Sequence, residues 1–162
     1  MQAFTRRLAL ATLMVSLILW AQGNPASAQA ADPVIGTWKL DVAKSKYSPG
    51  PPPKSLTVRF EAAGAGVKVT SDGVPADGQA THTEYTANYD GKDYPITGSA
   101  IADTVSLKRI DANTVERTDK KGGKVVQTLT RKVSSDGKMM TTTVKGTNAQ
   151  GQPVNNELVF GK

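Results

Sequence analysis

Beyond residue 33, apolar and polar side chains alternate with a period of two, run after run, and many of the runs are separated by glycine-containing pairs. Successive side chains of a strand point to opposite faces, so this pattern dictates β-structure with one dry and one wet face. Asp72-Gly73, Asp90-Gly91, Gly122-Gly123 and Asp136-Gly137 each read as a chain reversal, because tight hairpins need residues that accept positive φ. Strands are expected at 34–40, 55–61, 66–71, 79–89, 92–97, 101–110, 114–119, 124–134, 138–146 and 153–160. That makes about eight to ten strands with short links and no sustained helical period between them. The fold class is therefore all-β, a single antiparallel up-and-down barrel, since closing such a sheet removes its exposed edges. Asp41 to Lys54 is the exception. Pro49, Pro51, Pro52 and Pro53 exclude regular structure there, leaving a long first loop or a short helical turn followed by an extended stretch.

The first thirty residues have a different character. Arg6 and Arg7 precede a 14-residue apolar run from Leu8 to Ala21, and small residues follow Pro25. This is the layout of a cleavable signal peptide, with a cut expected after Ala30 or, failing that, after Ala28. Polar Gln22, Gly23 and Asn24 end the run well short of the ~20 apolar residues that a membrane span needs. The organisation expected is thus 1–30 signal peptide and 31–162 barrel domain, exported to the periplasm or the extracellular space by the general secretory route, with no membrane span once the signal is removed. Loss of the two signal arginines leaves 18 Lys and Arg against 14 acids, a mild and scattered positive charge that gives no footprint for nucleic acid. The chain has no cysteine, so disulfides and thiolate metal sites are excluded and the core alone must hold the fold.

Alternation assigns the core face: Trp38 and Leu40; Leu56, Val58 and Phe60; Val67 and Val69; Tyr85, Ala87 and Tyr89; Val105 and Leu107; Val125, Leu129 and Val133; Met140 and Val144; Val154, Leu158 and Phe160. Three arginines share this dry phase. Arg109 follows Val105 and Leu107, Arg117 follows Val115, and Arg131 lies between Leu129 and Val133, with Gln127 also in phase. An inward guanidinium demands a carboxylate, a water-filled cavity or an anionic ligand, unless it reaches solvent from a strand end or stacks on an aromatic ring.

The opening Val34-Ile35-Gly36-Thr37-Trp38-Lys39-Leu40 resembles the first strand of the fatty-acid-binding proteins and the Gly-x-Trp start of the lipocalins, together the calycin barrels. Val126 to Lys132, the hairpin at Asp136-Gly137-Lys138, Thr141 to Lys145 and the closing Leu158-Val159-Phe160-Gly161-Lys162 are similar to the C-terminal strands of the same barrels. The resemblance implies a ligand cavity inside the barrel, and it places Arg131 where the fatty-acid-binding proteins hold a ligand carboxylate. Their later Arg and Tyr are Leu158 and Phe160 here, and the proline-rich loop is too short for their pair of lid helices.

Enzyme chemistry has little to work with. His82 is the sole histidine, in phase with Glu84 and Asn88 and opposite Tyr85 and Tyr89, so it faces water and no nucleophile signature accompanies it. No catalytic residue, metal site or cofactor is assigned. Two functional classes remain. One is a lipocalin-like binder of a small apolar or amphipathic anionic ligand, lined by Arg109, Arg117, Arg131, Gln127, Tyr85, Tyr89, Leu107 and Leu129. The other is an envelope structural or protein-interaction module whose barrel is filled by its own side chains. Small Thr, Val, Ala and Gly dominate the strands, which favours the binder.

Overall fold

A computed structural model describes residues 32–162; the signal peptide expected at 1–30 lies outside them. Ten strands follow one another: β1 (Gly36–Lys46), β2 (Ser55–Ala63), β3 (Gly66–Val74), β4 (Thr81–Asn88), β5 (Tyr94–Thr97), β6 (Thr104–Arg109), β7 (Thr114–Lys121), β8 (Lys124–Val133), β9 (Met139–Thr147) and β10 (Pro153–Gly161). Each pairs antiparallel with its sequence neighbours, and β10 returns to β1, closing the barrel. This is the single antiparallel up-and-down barrel that the alternation implies.

The apolar phase faces inward. Trp38, Phe60, Val67, Val69, Tyr85, Ala87, Val105, Leu107, Val133, Met140 and Phe160 form the buried cluster, while Lys39, Arg59, Lys108, Lys132 and Lys145 are exposed on the outer wall. A transmembrane barrel has the opposite polarity, so this wall is built for water. The strand directions define two ends. One carries the start of β1, the Gly64–Ala65 turn and the Asp136-Gly137 turn; the other carries the proline-rich loop and the Gly122-Gly123 turn.

Three expectations need correction. Asp72-Gly73 is no reversal: both residues pair within β3, against Thr57 and Leu56 on one side and His82 and Thr81 on the other, and the chain turns later, at 75–80. Asp41 does not begin a loop. β1 runs on to Lys46, with a register shift that sets Asp41 opposite Val159 and Lys46 opposite Glu157. Inside that shift the Ser45 Oγ accepts the Val159 N–H at 2.9 Å and donates to the Asp41 carbonyl at 2.7 Å, replacing the lost ladder bond. Val125 is not core; it is 60% exposed. Asp119 pairs with Gln127 but Lys120 pairs with Val125, so Val126 is one residue extra in β8, and this bulge moves Val125 out and Val126 in against the core.

Candidate functional site

The interior arginines fall into two clusters. At the end where β1 starts, Asp32 reaches in from the segment before that strand and forms an ion pair with Arg109. The Tyr89 hydroxyl donates to the same carboxylate at 2.6 Å, the Arg109 guanidinium lies 4.0 Å from the Tyr89 ring centre, and the Val34 N–H donates to the other carboxylate oxygen at 3.2 Å. Trp38 Nε1–H donates to the Val34 carbonyl at 2.7 Å, and Lys162 lies over the Trp38 ring at 4.8 Å. Residues 32–34 are thereby stapled across the barrel end. Burial, then the hydrogen bond to Asp32, hold the Tyr89 phenol well above its ordinary pKa, although Arg109 and Arg131 pull the other way.

Further along the interior, Arg117 donates from Nε and Nη2 to the two oxygens of Asp119 at 2.5 and 2.9 Å. The two residues are two apart on one strand, so they share a face, and both are buried. Arg117 also lies over the Tyr85 ring, 4.8 Å from its centre. Burial opposes the charge most strongly, yet Tyr85 and Asp119 outweigh it and raise the guanidinium above its usual pKa. This arginine is a compensated structural strut.

Arg131 differs. It is 6% exposed, lies over the Phe60 ring at 5.4 Å, and among the described residues its one side-chain hydrogen bond is a long 3.4 Å contact to the Tyr85 hydroxyl. No carboxylate faces it among the described ion pairs. Thr142 sits directly opposite on β9, 3% exposed, and its hydroxyl has no hydrogen-bond partner among the described residues. Thr142 in turn lies opposite Leu158 on β10. Leu158 belongs to the wall of a recess of about 240 Å³ that opens beneath the proline-rich loop, lined also by Leu40, Leu56, Tyr47, Pro49 and Asn156. The loop is pinned over it: Asn155 N–H donates to the Ser48 carbonyl at 2.7 Å, Ser48 N–H to Asn156 Oδ1 at 2.8 Å, and Lys54 N–H to the Val74 carbonyl at 2.8 Å.

Of the eight residues expected to line a cavity, Tyr85, Arg117 and Arg131 therefore meet, and Leu129 and Gln127 continue the same face of β8. Gln127 spends its amide on the Thr147 carbonyl, at 2.8 Å. Arg109 and Tyr89 belong to the Asp32 staple, and Leu107 is buried in the dry core. Asp119 and Thr142 were legible as inward by phase, though Asp119 was not legible as the partner of Arg117. Asp32 carries no sequence signal, being outside any strand. His82 faces solvent, with Asp72 on the neighbouring strand at 2.7 Å, and among the described residues no hydroxyl donates to its ring. Among the described residues no three His, Asp or Glu side chains converge as metal ligands.

No protein-family profile matches the chain, and no curated protein matches it in sequence. Among solved structures the barrel is similar to the zebrafish ileal bile acid-binding protein complexed with cholic acid, at 12% identity and a TM-score of 0.48, over 80% of this chain and 98% of that one.

Proposed function

We propose that this protein is an exported, non-enzymatic barrel that carries a small amphipathic anion, its head at Arg131 and its apolar part directed past Leu129 and Leu158 toward the recess under the proline-rich loop. The observation that carries this reading is the buried guanidinium of Arg131, which has five N–H donors and, among the described residues, a single long hydrogen bond to protein. An isolated buried charge is costly, so an anion or water must complete the site. The other two inward arginines make no such demand, because Asp32 and Asp119 already neutralise them. The secretory signal read from residues 1–30 supports export.

A second reading has its own support. Arg117 over Tyr85 and Arg131 over Phe60 are contacts across the interior, as expected of a barrel filled by its own side chains. Arg131→Leu separates the two. For a carrier, an anionic amphiphile is expected to bind about ten- to a hundredfold more weakly to the variant, while a neutral apolar probe is unaffected. The melting temperature is expected to hold or rise, since an uncompensated charge leaves an apolar interior. A lower melting temperature with unchanged titrations would establish the filled barrel instead.

A further inference from the structure

We infer that the recess under the proline-rich loop is a binding site in its own right, for a small uncharged aromatic compound that carries a hydrogen-bond acceptor such as a ketone. The inference goes beyond the carrier reading, since it needs neither Arg131 nor a negative charge. Pro49, Pro51, Pro53 and Pro75 line the recess together with Tyr47 and Leu158, and none of its lining side chains is charged. An ion entering it would give up water and meet no opposite charge, which selects for neutral ligands. Proline rings offer C–H groups to the electron-rich face of an aromatic ring, the converse of proline segments docking on aromatic-lined grooves. The recess holds about 240 Å³. That exceeds the ~150 Å³ of a cavity that takes up benzene and falls short of the ~300 Å³ where drug-sized sites begin, so one ring with a short substituent suits it.

The polar groups of the recess ask for an acceptor. The Tyr47 hydroxyl is closed off from solvent and has no hydrogen-bond partner among the described residues, so its proton lacks the bond it makes in water. Asn156 uses its Oδ1 to accept the Ser48 N–H, which leaves its amide N–H groups as donors. A ligand carbonyl beside Tyr47 supplies the missing partner. The roof can yield to admit it, because Ser48 and Lys54 fasten the loop only at its ends, and among the described residues the backbone from 49 to 53 makes no hydrogen bond between them. Four of those five residues are proline and have no N–H to give. Tyr47 is thus the residue that selects for the acceptor, and the prolines are those that select for the ring.

The test is an amide chemical-shift titration of the full mature chain, near neutral pH, with acetophenone, its acceptor-free analogue α-methylstyrene, and benzoate as the charged ring. Acetophenone is expected to move the amides of Tyr47, Gly50, Leu56, Asn156 and Leu158. It is expected to bind roughly three- to tenfold more tightly than α-methylstyrene and at least about tenfold more tightly than benzoate. Tyr47→Phe is expected to bring acetophenone down to the affinity of α-methylstyrene, with the melting temperature at or above that of the parent because a buried unpaired hydroxyl is removed. Arg131→Leu is expected to leave acetophenone binding unchanged, so that loss of an anionic amphiphile in that variant bears on the carrier reading alone. Absence of shifts at the recess, or shifts centred on Phe60, Tyr85 and Arg131 instead, would overturn the inference. Benzoate binding as well as acetophenone would overturn the neutral class of the ligand. Equal affinities of acetophenone and α-methylstyrene for the parent would remove the acceptor, and Tyr47 with it, from the site.

Discussion

Tyr89 illustrates how one polar side chain is made to serve a barrel end. Its ring supports the Arg109 guanidinium and its hydroxyl holds Asp32, so a single phenol joins the segment before β1 to the end of β6. The phenol pKa lies above its ordinary value in the folded chain, first through burial and then through the Asp32 bond. Folding therefore favours the protonated form. The stability this group contributes is complete below about pH 10, where the unfolded phenol titrates, and is lost as pH rises from there toward the higher folded pKa. Tyr89→Phe should cost about 1–2 kcal/mol near neutral pH, because it leaves part of the Asp32 carboxylate without its donor. The gap between parent and variant should narrow near pH 11, and paired denaturant titrations at the two pH values check this. An unchanged gap would show that the phenol is not coupled to folding through its proton. At this scale the sequence was half legible. Strand phase pointed Arg109, Arg117 and Arg131 inward, which is a local property, but it could not say that two of the three find carboxylates. Asp119 was in reach of that argument, two residues from Arg117 on the same face. Asp32 was not, since its role depends on a chain path that no periodicity encodes.

The strands themselves were largely readable, and where they were not the cause was a break in the ladder. Period two is a reliable guide only while each residue on one strand meets one on the next. In β8 the extra residue Val126 resets the phase, which is why Val125, in step with Leu129 by simple alternation, points to water. Gly146 opposite Gln127 belongs to the same feature: its φ is +144°, and a Cβ there would come within 2.1 Å of the Val126 carbonyl oxygen, so the backbones approach too closely for any side chain. In β1 the four residues between Asp41 and Lys46 are likewise absorbed without ending the strand, because Ser45 supplies the missing acceptor. Asp72-Gly73 misled for a different reason, as a pair that tolerates positive φ does not require it, and Gly73 stays extended within β3. The bulge makes a pair of adjacent valines behave unequally. Val126→Ala should lower stability by about 1 kcal/mol through lost burial, whereas Val125→Ala should stay within about 0.5 kcal/mol of the parent. Equal effects in equilibrium unfolding would mean that β8 keeps unbroken alternation.

Over the whole molecule the ladder is uneven, and this sets where the barrel opens. β2 and β3 are paired along their full lengths, as are β9 and β10, and β7, β8 and β9 form a nearly continuous sheet apart from the single bulge. β5 is held by two residue pairs on each side: Glu84 with Thr97 and Tyr85 with Ile96 toward β4, Tyr94 with Val105 and Pro95 with Thr104 toward β6. Pro95 has no N–H to give to either neighbour. Local opening needs least free energy where fewest backbone bonds must break together, so amide exchange should be earliest in Tyr94–Thr97 and in the β4 and β6 amides that face it, and latest in β8, β9 and β10. The staple of residues 32–34 adds protection at its own end, through Asp32, Trp38 and Lys162, and the pinned proline-rich loop adds some at the other. A ligand that meets Arg131 touches the partner of Tyr85, and Tyr85 is one of the two β4 residues that hold β5. Saturating octanoate should therefore slow exchange around Tyr85 and Ile96 more than in β9 and β10, whose amides are already well protected. Hydrogen–deuterium exchange with and without octanoate measures both effects. Uniform exchange around the ladder would show that the barrel opens as a single unit, and protection confined to the rim of the proline-rich loop would place the ligand outside the interior, away from Arg131.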